Sequence, residues 1–196
     1  MRTRALDAAA VLIAEQGLTA VTLEAIAIRA DCSLPSLYAI FGTRDGLLRA
    51  VFERHSPLLD IEDFLAGDRS DLRATVRRLY ELMVTSLTKE PRVGPAMFAE
   101  LLGRPASPAV GSLISYTAPR VLAVIGQWLA GEIRVGHLRD APLPLLVQQL
   151  LAPMAVHLLL RPGEEGLPGI EMPDMATVCD YFTDTFLRSA GTTAPT

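Results

Sequence analysis

The sequence is poor in the residues that most often announce chemistry. Only two cysteines occur, Cys32 and Cys179. They are too few for a disulfide framework or a cysteine zinc site, and both sit in apolar helical patterns that suit buried, reduced thiols. The three histidines, His55, His137 and His157, lie far apart in separate segments; each reads as a cap, a surface group or a satisfied core residue. His-Glu-x-x-His, Gly-x-Ser-x-Gly and phosphate-binding glycine loops are all missing, so neither catalysis, a metal nor a cofactor is expected. There is no basic excess either. The formal net charge is −4, and residues 1–56 balance six arginines (2, 4, 29, 44, 49, 54) against six acids (7, 15, 24, 31, 45, 53). Charge alone would not suggest a nucleic-acid partner; a basic patch would have to come from placement, with Arg2, Arg4 and Arg44 on one face. No export cleavage pattern follows Met1-Arg2-Thr3-Arg4, which leaves a cytoplasmic location as the expectation.

What remains is apolar and helical in period. Half of the 196 residues are hydrophobic (50%), enough to bury a sizeable core, and no alternating strand pattern is found. The first helix is expected over Ala5–Gln16, with Leu6, Ala9, Ala10 and Ile13 as its buried stripe and Gly17 as its stop. The densest information lies in residues 22–48. Thr22 is a good N-cap for a short helix carrying Leu23, Ile26, Ala27 and Ala30 inward. Asp31-Cys32-Ser33 makes a turn, and Asp tolerates the left-handed backbone needed there. Ser33 caps a second helix with Pro35 in its first turn, where an N–H is not missed. Leu37 and Phe41 fall four apart on its inner face, leaving Ser36, Tyr38 and Ala39 outside. Gly42 ends it, and Thr43 caps the next helix through Leu47, Leu48, Val51 and Phe52. Two helices joined by so short a turn form a helix-turn-helix, whose second helix enters the DNA major groove.

Leu34-Pro35-Ser36-Leu37-Tyr38-x-x-Phe41-Gly42-x-Arg44-x-x-Leu47-Leu48, after Gly17-x-x-x-x-Thr22, resembles the N-terminal domain of TetR-family transcriptional regulators. The resemblance covers roughly the first quarter of the chain. It departs from the family habit at Asp31, where glycine is usual, and at Ala39 and Ile40, where a bulky residue and histidine are usual. It implies an all-α chain with a three-helix DNA-binding domain over residues 1–56, a larger helical ligand-binding and dimerisation domain over 57–190, and a flexible tail at 191–196. It also implies double-stranded DNA with a pseudo-palindromic operator as partner. Thr22, Ser36, Tyr38 and Arg44 would touch phosphates, while Leu34, Pro35, Ser36 and Ala39 would approach base edges, with Ser33 beside them.

Beyond residue 56 the pattern predicts a non-helical acidic joint from Pro57 to Gly67 and then a series of helices. One carries Leu72, Val76, Leu79, Met83 and Leu87; a short one spans Ala96–Leu102. Ser107-Pro108 starts another that Pro119 should kink or break near Ala118. Residues 143–160 are the most apolar segment, yet Gln148, Gln149, Pro153 and His157 and its marginal length argue against a membrane span. A helix apolar nearly all round is more simply buried on both sides. The resemblance implies that 143–160 and 174–189 pair with their copies in a homodimer, through Leu146, Val147, Leu150, Leu151, Met154, Leu158, Met175, Val178, Phe182 and Phe186. It also implies a mainly apolar small-molecule pocket in the middle helices. Met83, Met97, Phe98, Leu101 and Trp128 are its candidate walls, with Tyr116 and Arg120 as polar anchors. The function implied is a ligand-responsive regulator, by family habit a repressor released from its operator by a small apolar molecule. An all-α enzyme and a helical protein-binding adaptor are the competing readings.

Overall fold

In a computed structural model of the chain, residues 1–18, 21–67, 71–164, 167–169 and 171–192 are described. The helices in chain order are α1 (Arg2–Gln16), α2 (Leu23–Arg29), α3 (Leu34–Phe41), α4 (Arg44–His55), α5 (Leu58–Ala66) and α6 (Leu72–Leu87). They continue as α7 (Val93–Gly103), α8 (Pro108–Val121), a π-helical turn (Leu122–Gly126), α9 (Gln127–Arg134), α10 (Leu143–Glu164) and α11 (Met175–Ala190). The all-α expectation holds among the described residues, where no extended strand forms.

Two of the expected irregularities are not where the sequence put them. The supposed joint at 57–67 is helix α5, which buries Leu58, Ile61 and Leu65; its acids are simply the outer face of an amphipathic helix. Nor does the chain break near Ala118. α8 runs through Pro119 to Val121, and the irregularity comes just afterwards, where Leu122–Gly126 widens into a π turn. Proline removes one N–H and crowds the preceding turn, and a local widening is one of the ways a helix absorbs such a fault.

The chain packs as two units, Met1–Ser56 with Ser86–Ala118, and Pro57–Thr85 with Pro119–Thr196. This differs from a division at residue 56 alone, because α7 and most of α8 pack with the N-terminal helices. The crossings of the chain fall at Ser56, within α6 and at Pro119 within α8.

In the first unit α1 is the central strut. Ala5, Ala8, Ala9 and Ala10 are buried beside Leu6, Leu12 and Ile13, and these small side chains let α2, α4 and α7 approach closely. Leu18, Val21, Leu23, Ile26, Leu37, Leu47, Val51, Val93, Met97 and Val110 complete that core. One close approach is set by Gly46, where a Cβ would collide with the carbonyl oxygen of Phe41. Only glycine lets α4 start so near the end of α3.

In the second unit α10 supplies the spine: Leu146, Val147, Leu150, Met154, Ala155 and Leu158 are buried. They meet Val178, Cys179 and Phe186 of α11, and Trp128 and Leu129 of α9 belong to the same interior. Phe182 takes edge contacts from Tyr80 at 6.3 Å and His157 at 5.8 Å. Arg73 and Arg77 of α6 bridge to Asp180 and Asp184 of α11. The end of the described chain is tied down rather than loose: Leu138 and Gly191 form a β-bridge, and the Thr192 hydroxyl donates to the Gly136 carbonyl at 2.7 Å. The rest of the expected flexible tail, 193–196, lies outside the described residues.

Two helical stretches, Pro108–Arg134 and Leu143–Pro162, are long and apolar enough to cross a membrane. Length and composition do not decide the matter for α10, because Leu146, Val147, Leu150, Met154, Ala155 and Leu158 are used as the unit's own core and Gln148 and Gln149 are exposed. The longer stretch, 108–134, carries Pro119 and the π turn within it.

Candidate nucleic-acid interface

The local chemistry of residues 22–48 is as the sequence predicted. Thr22 Oγ1 accepts the Ala25 amide at 3.1 Å and caps α2. Asp31 has φ 48°, the left-handed conformation needed to turn between two helices. Ser33 accepts the Ser36 amide at 3.3 Å, with Pro35 in the first turn of α3. Gly42 leaves α3 with φ 72°, and Thr43 Oγ1 accepts the Gly46 amide at 3.0 Å to open α4.

These caps hold α3 so that Leu37 is wholly buried while Pro35, Tyr38, Ala39 and Ile40 face solvent. Leu34 and Ser36 are half-buried. Tyr38, 50% exposed, presents its ring and hydroxyl outward. The Ser33 and Ser36 hydroxyls bond to each other at 2.8 Å, so part of their capacity is already used. Thr22 and Ser33 both stand exposed at helix N-termini, where unpaired N–H groups and the helix dipole favour phosphate. The arrangement is a short helix mounted by one inner leucine, its outer edge small and apolar, flanked by hydroxyls.

Arg44, expected at a phosphate, is engaged within the unit. Its Nε donates to the Val21 carbonyl at 2.7 Å and its Nη2 to the Leu18 carbonyl at 2.6 Å. The guanidinium therefore ties the α1–α2 connection to the start of α4. No sequence signal could have shown this, since the partners are main-chain oxygens more than twenty positions away. Four other arginines also have partners within the unit. Arg29 pairs with Glu15 at 3.1 Å, Arg54 with Asp7 at 2.7 Å, and Arg49 lies over the Tyr116 ring at 5.3 Å. Arg2 stacks on Phe41, the last residue of α3, at 5.8 Å.

The residues expected around a ligand are divided. Met97, Phe98, Leu101 and Tyr116 belong to the first unit, and Met83, Arg120 and Trp128 to the second. Tyr116 and Arg120 are not a pair of free anchors: the tyrosine hydroxyl donates to Glu53, and Arg120 meets Glu62 at 3.5 Å. Met83, Met97 and Trp128 are buried, and the Trp128 indole donates to Glu132 at 3.0 Å.

The residues expected at a dimer interface lie mostly inside their own unit. Leu146, Val147, Leu150, Met154, Leu158, Val178 and Phe186 are buried in their own unit; Leu151, Met175 and Phe182 are half-buried. Periodicity had picked out the core stripe of each helix. The apolar groups left outside on α10 and α11 include Leu145, Ala152, Val156, Leu160 and Tyr181. Among the described residues no cluster of His, Cys, Asp and Glu could hold a metal.

An all-helical chain that mounts a capped helix-turn-helix on its N-terminal three helices has the architecture of a DNA-binding transcriptional regulator. Residues 5–51 match the family model described as bacterial regulatory proteins, tetR family. Over α1 to α4 the chain is similar to that family. Its fold is similar to that of a TetR-family transcription regulator from Marinobacter aquaeolei VT8, at 20% identity and TM-score 0.68 over 97% of this chain and 95% of that one. It is also similar to the fatty acid degradation regulator FadR from Bacillus halodurans, at 13% identity and TM-score 0.75 over 95% and 98%. FadR from Bacillus subtilis, in complex with stearoyl-CoA, gives 14% identity and TM-score 0.74 over 95% and 98%. No curated protein sequence matches the chain.

Proposed function

We propose that the chain works in the cytoplasm as a homodimeric repressor, gripping a pseudo-palindromic DNA operator with α3 and letting go when a small apolar molecule binds. The observation that carries the DNA half is the setting of α3, with Leu37 wholly buried and Pro35, Tyr38, Ala39 and Ile40 exposed. Tyr38, Ser33 and Thr22 would touch phosphates and fix register; Leu34, Pro35, Ser36 and Ala39 would meet base edges. None of these offers a bidentate pair to a base, so shape and apolar contact would carry much of the specificity.

Dimerisation is needed by the reading geometry, since two reading helices about 34 Å apart address successive major grooves. The exposed apolar stripe of α10, with Tyr181 of α11, supports this second copy's place. Release is a population shift: a ligand preferring a different spacing of the reading helices needs about 5.5 kcal/mol of differential affinity for a near-complete switch. The fold likeness to a regulator holding stearoyl-CoA supports long acyl chains as the first class to try. The π turn after Pro119 is a place in the second unit where such movement could be absorbed.

The test is a salt titration of binding to DNA upstream of the protein's own gene. Tight binding that random DNA competes poorly, and that falls steeply with salt, is expected. Stearoyl-CoA and shorter acyl thioesters are then screened for release. Affinity equal to that for random DNA, unchanged by Tyr38→Ala, would remove the DNA face from the reading.

A further inference from the structure

The first unit holds a crevice that the DNA-reading face does not use. It lies between the C-terminal end of α1 and α7, with a volume of about 440 Å3, within the size range of small-molecule sites. Ile13, Ala14, Ala96 and Ala99 give it short apolar walls, and Gln16 stands at its edge. Its one carboxylate is Glu100. That side chain is only 9% exposed, yet its Oε1 is buried without a hydrogen-bond donor. The cation nearest to it is Arg104, one turn along α7, whose Nη1 approaches to 3.5 Å from a side chain 66% exposed. This pairing screens the charge but makes no hydrogen bond to Oε1. On its other side Glu100 Oε2 lies 3.4 Å from where a Cβ at residue 17 would sit, and the glycine there keeps that space open.

A carboxylate oxygen buried without a donor is costly, and an N–H that reaches it recovers that cost. A carboxylate can only accept, so its complement is a donor, and a positively charged one bonds more strongly. A single carboxylate calls for a single positive charge. Walls of alanine and isoleucine call for a compact aliphatic body. We propose that this crevice binds a small organic monocation, its primary ammonium on Glu100 and its aliphatic body between α1 and α7. The site shares no residue with α3, and the proposal stands or falls independently of the operator-binding reading.

Calorimetric titration of the intact protein with n-hexylamine at neutral pH, against 1-hexanol of the same chain length, tests it. The amine should bind at least about tenfold more tightly than the alcohol. Glu100→Gln should abolish that preference. Arg104→Ala, which removes the competing cation, should strengthen amine binding, an effect a purely structural role for Glu100 would not produce. Ala99→Phe, at an exposed wall position, should block both probes. Equal affinity for amine and alcohol, an unchanged preference in Glu100→Gln, or no amine binding at all would overturn the proposal. Should Glu100→Gln fail to fold, amine binding indifferent to both Arg104→Ala and Ala99→Phe would overturn it equally.

Discussion

His55 closes α4 as a buried titratable side chain, 7% exposed, with an Nδ1 that has no hydrogen-bond partner. Burial holds its pKa below the ordinary value, helped by the nearby charges of Lys89 and Arg54 and opposed by Asp7. The folded protein therefore prefers neutral His55, while the unfolded chain takes up a proton near pH 6.5. Between the lowered folded pKa and that value, unfolding binds protons, so stability rises with pH and is lost as pH falls below about 6.5. Thermal midpoints followed from about pH 8 to about pH 5 should fall more steeply in the natural protein than in His55→Gln. Parallel curves would show that His55 is not the group responsible. Nothing in the sequence marked this residue, because its environment is made by Lys89 and Asp7, far away along the chain. Asp31 is the opposite case: its left-handed backbone follows from being a short polar residue between two helical patterns, and was legible at once.

At the scale of elements, the caps were readable and the ties between elements were not. Thr22, Ser33, Thr43, Ser107 and Asp174 each accept the backbone amide three residues on, a local geometry that needs only the nearby sequence. Arg44 acts at longer range, fastening two carbonyls of the α1–α2 connection to α4. Arg44→Ala should cost about 1–3 kcal/mol of stability through the loss of charge-assisted bonds to part-buried acceptors. Arg44→Lys separates this bracing from a phosphate contact: lysine keeps the charge but not the two-pronged geometry. Braced elements predict that Arg44→Lys lowers the thermal midpoint while leaving the salt slope of DNA binding nearly unchanged. A normal midpoint in Arg44→Lys, with a slope shallower by about one in the neutral Arg44→Ala, would instead return Arg44 to the phosphate backbone. Helix α5 was missed because acids and an initial proline look like a loop until Leu58, Ile61 and Leu65 are seen to share one buried face.

For the whole molecule, the proposed second copy makes the sharpest distinction between faces of α10. Leu145, Gln149, Ala152, Val156 and Leu160 recur at spacings of three and four on its exposed side, and Tyr181 of α11 is 63% exposed. Val156→Arg, at a position already half open to solvent, should leave the fold's thermal midpoint close to normal at low concentration and yield monomers in sedimentation at micromolar protein. Operator affinity should drop with it, because one reading helix cannot span two half-sites. A substitution on the buried stripe, Leu150→Ala, should behave differently and cost about 2–5 kcal/mol of stability through the cavity it leaves. Dimers that survive Val156→Arg would place the association elsewhere.

Periodicity, capping residues and the turn at Asp31 by themselves determined that the chain is all helical and carries a helix-turn-helix near its start. Each of those signals acts over one or two turns, and hydrogen bonding and side-chain spacing at that range are written directly in neighbouring residues. Tertiary structure alone decided which stripe of α10 is core and which is free, where Arg44 points, that Tyr116 and Arg120 meet Glu53 and Glu62, and that Glu100 lies buried beside an open crevice. The physical reason is common to all of them. A nearly all-apolar helix has no sequence-encoded inside, and a charged side chain has no sequence-encoded partner. Both are settled only when distant segments are brought within a few ångströms.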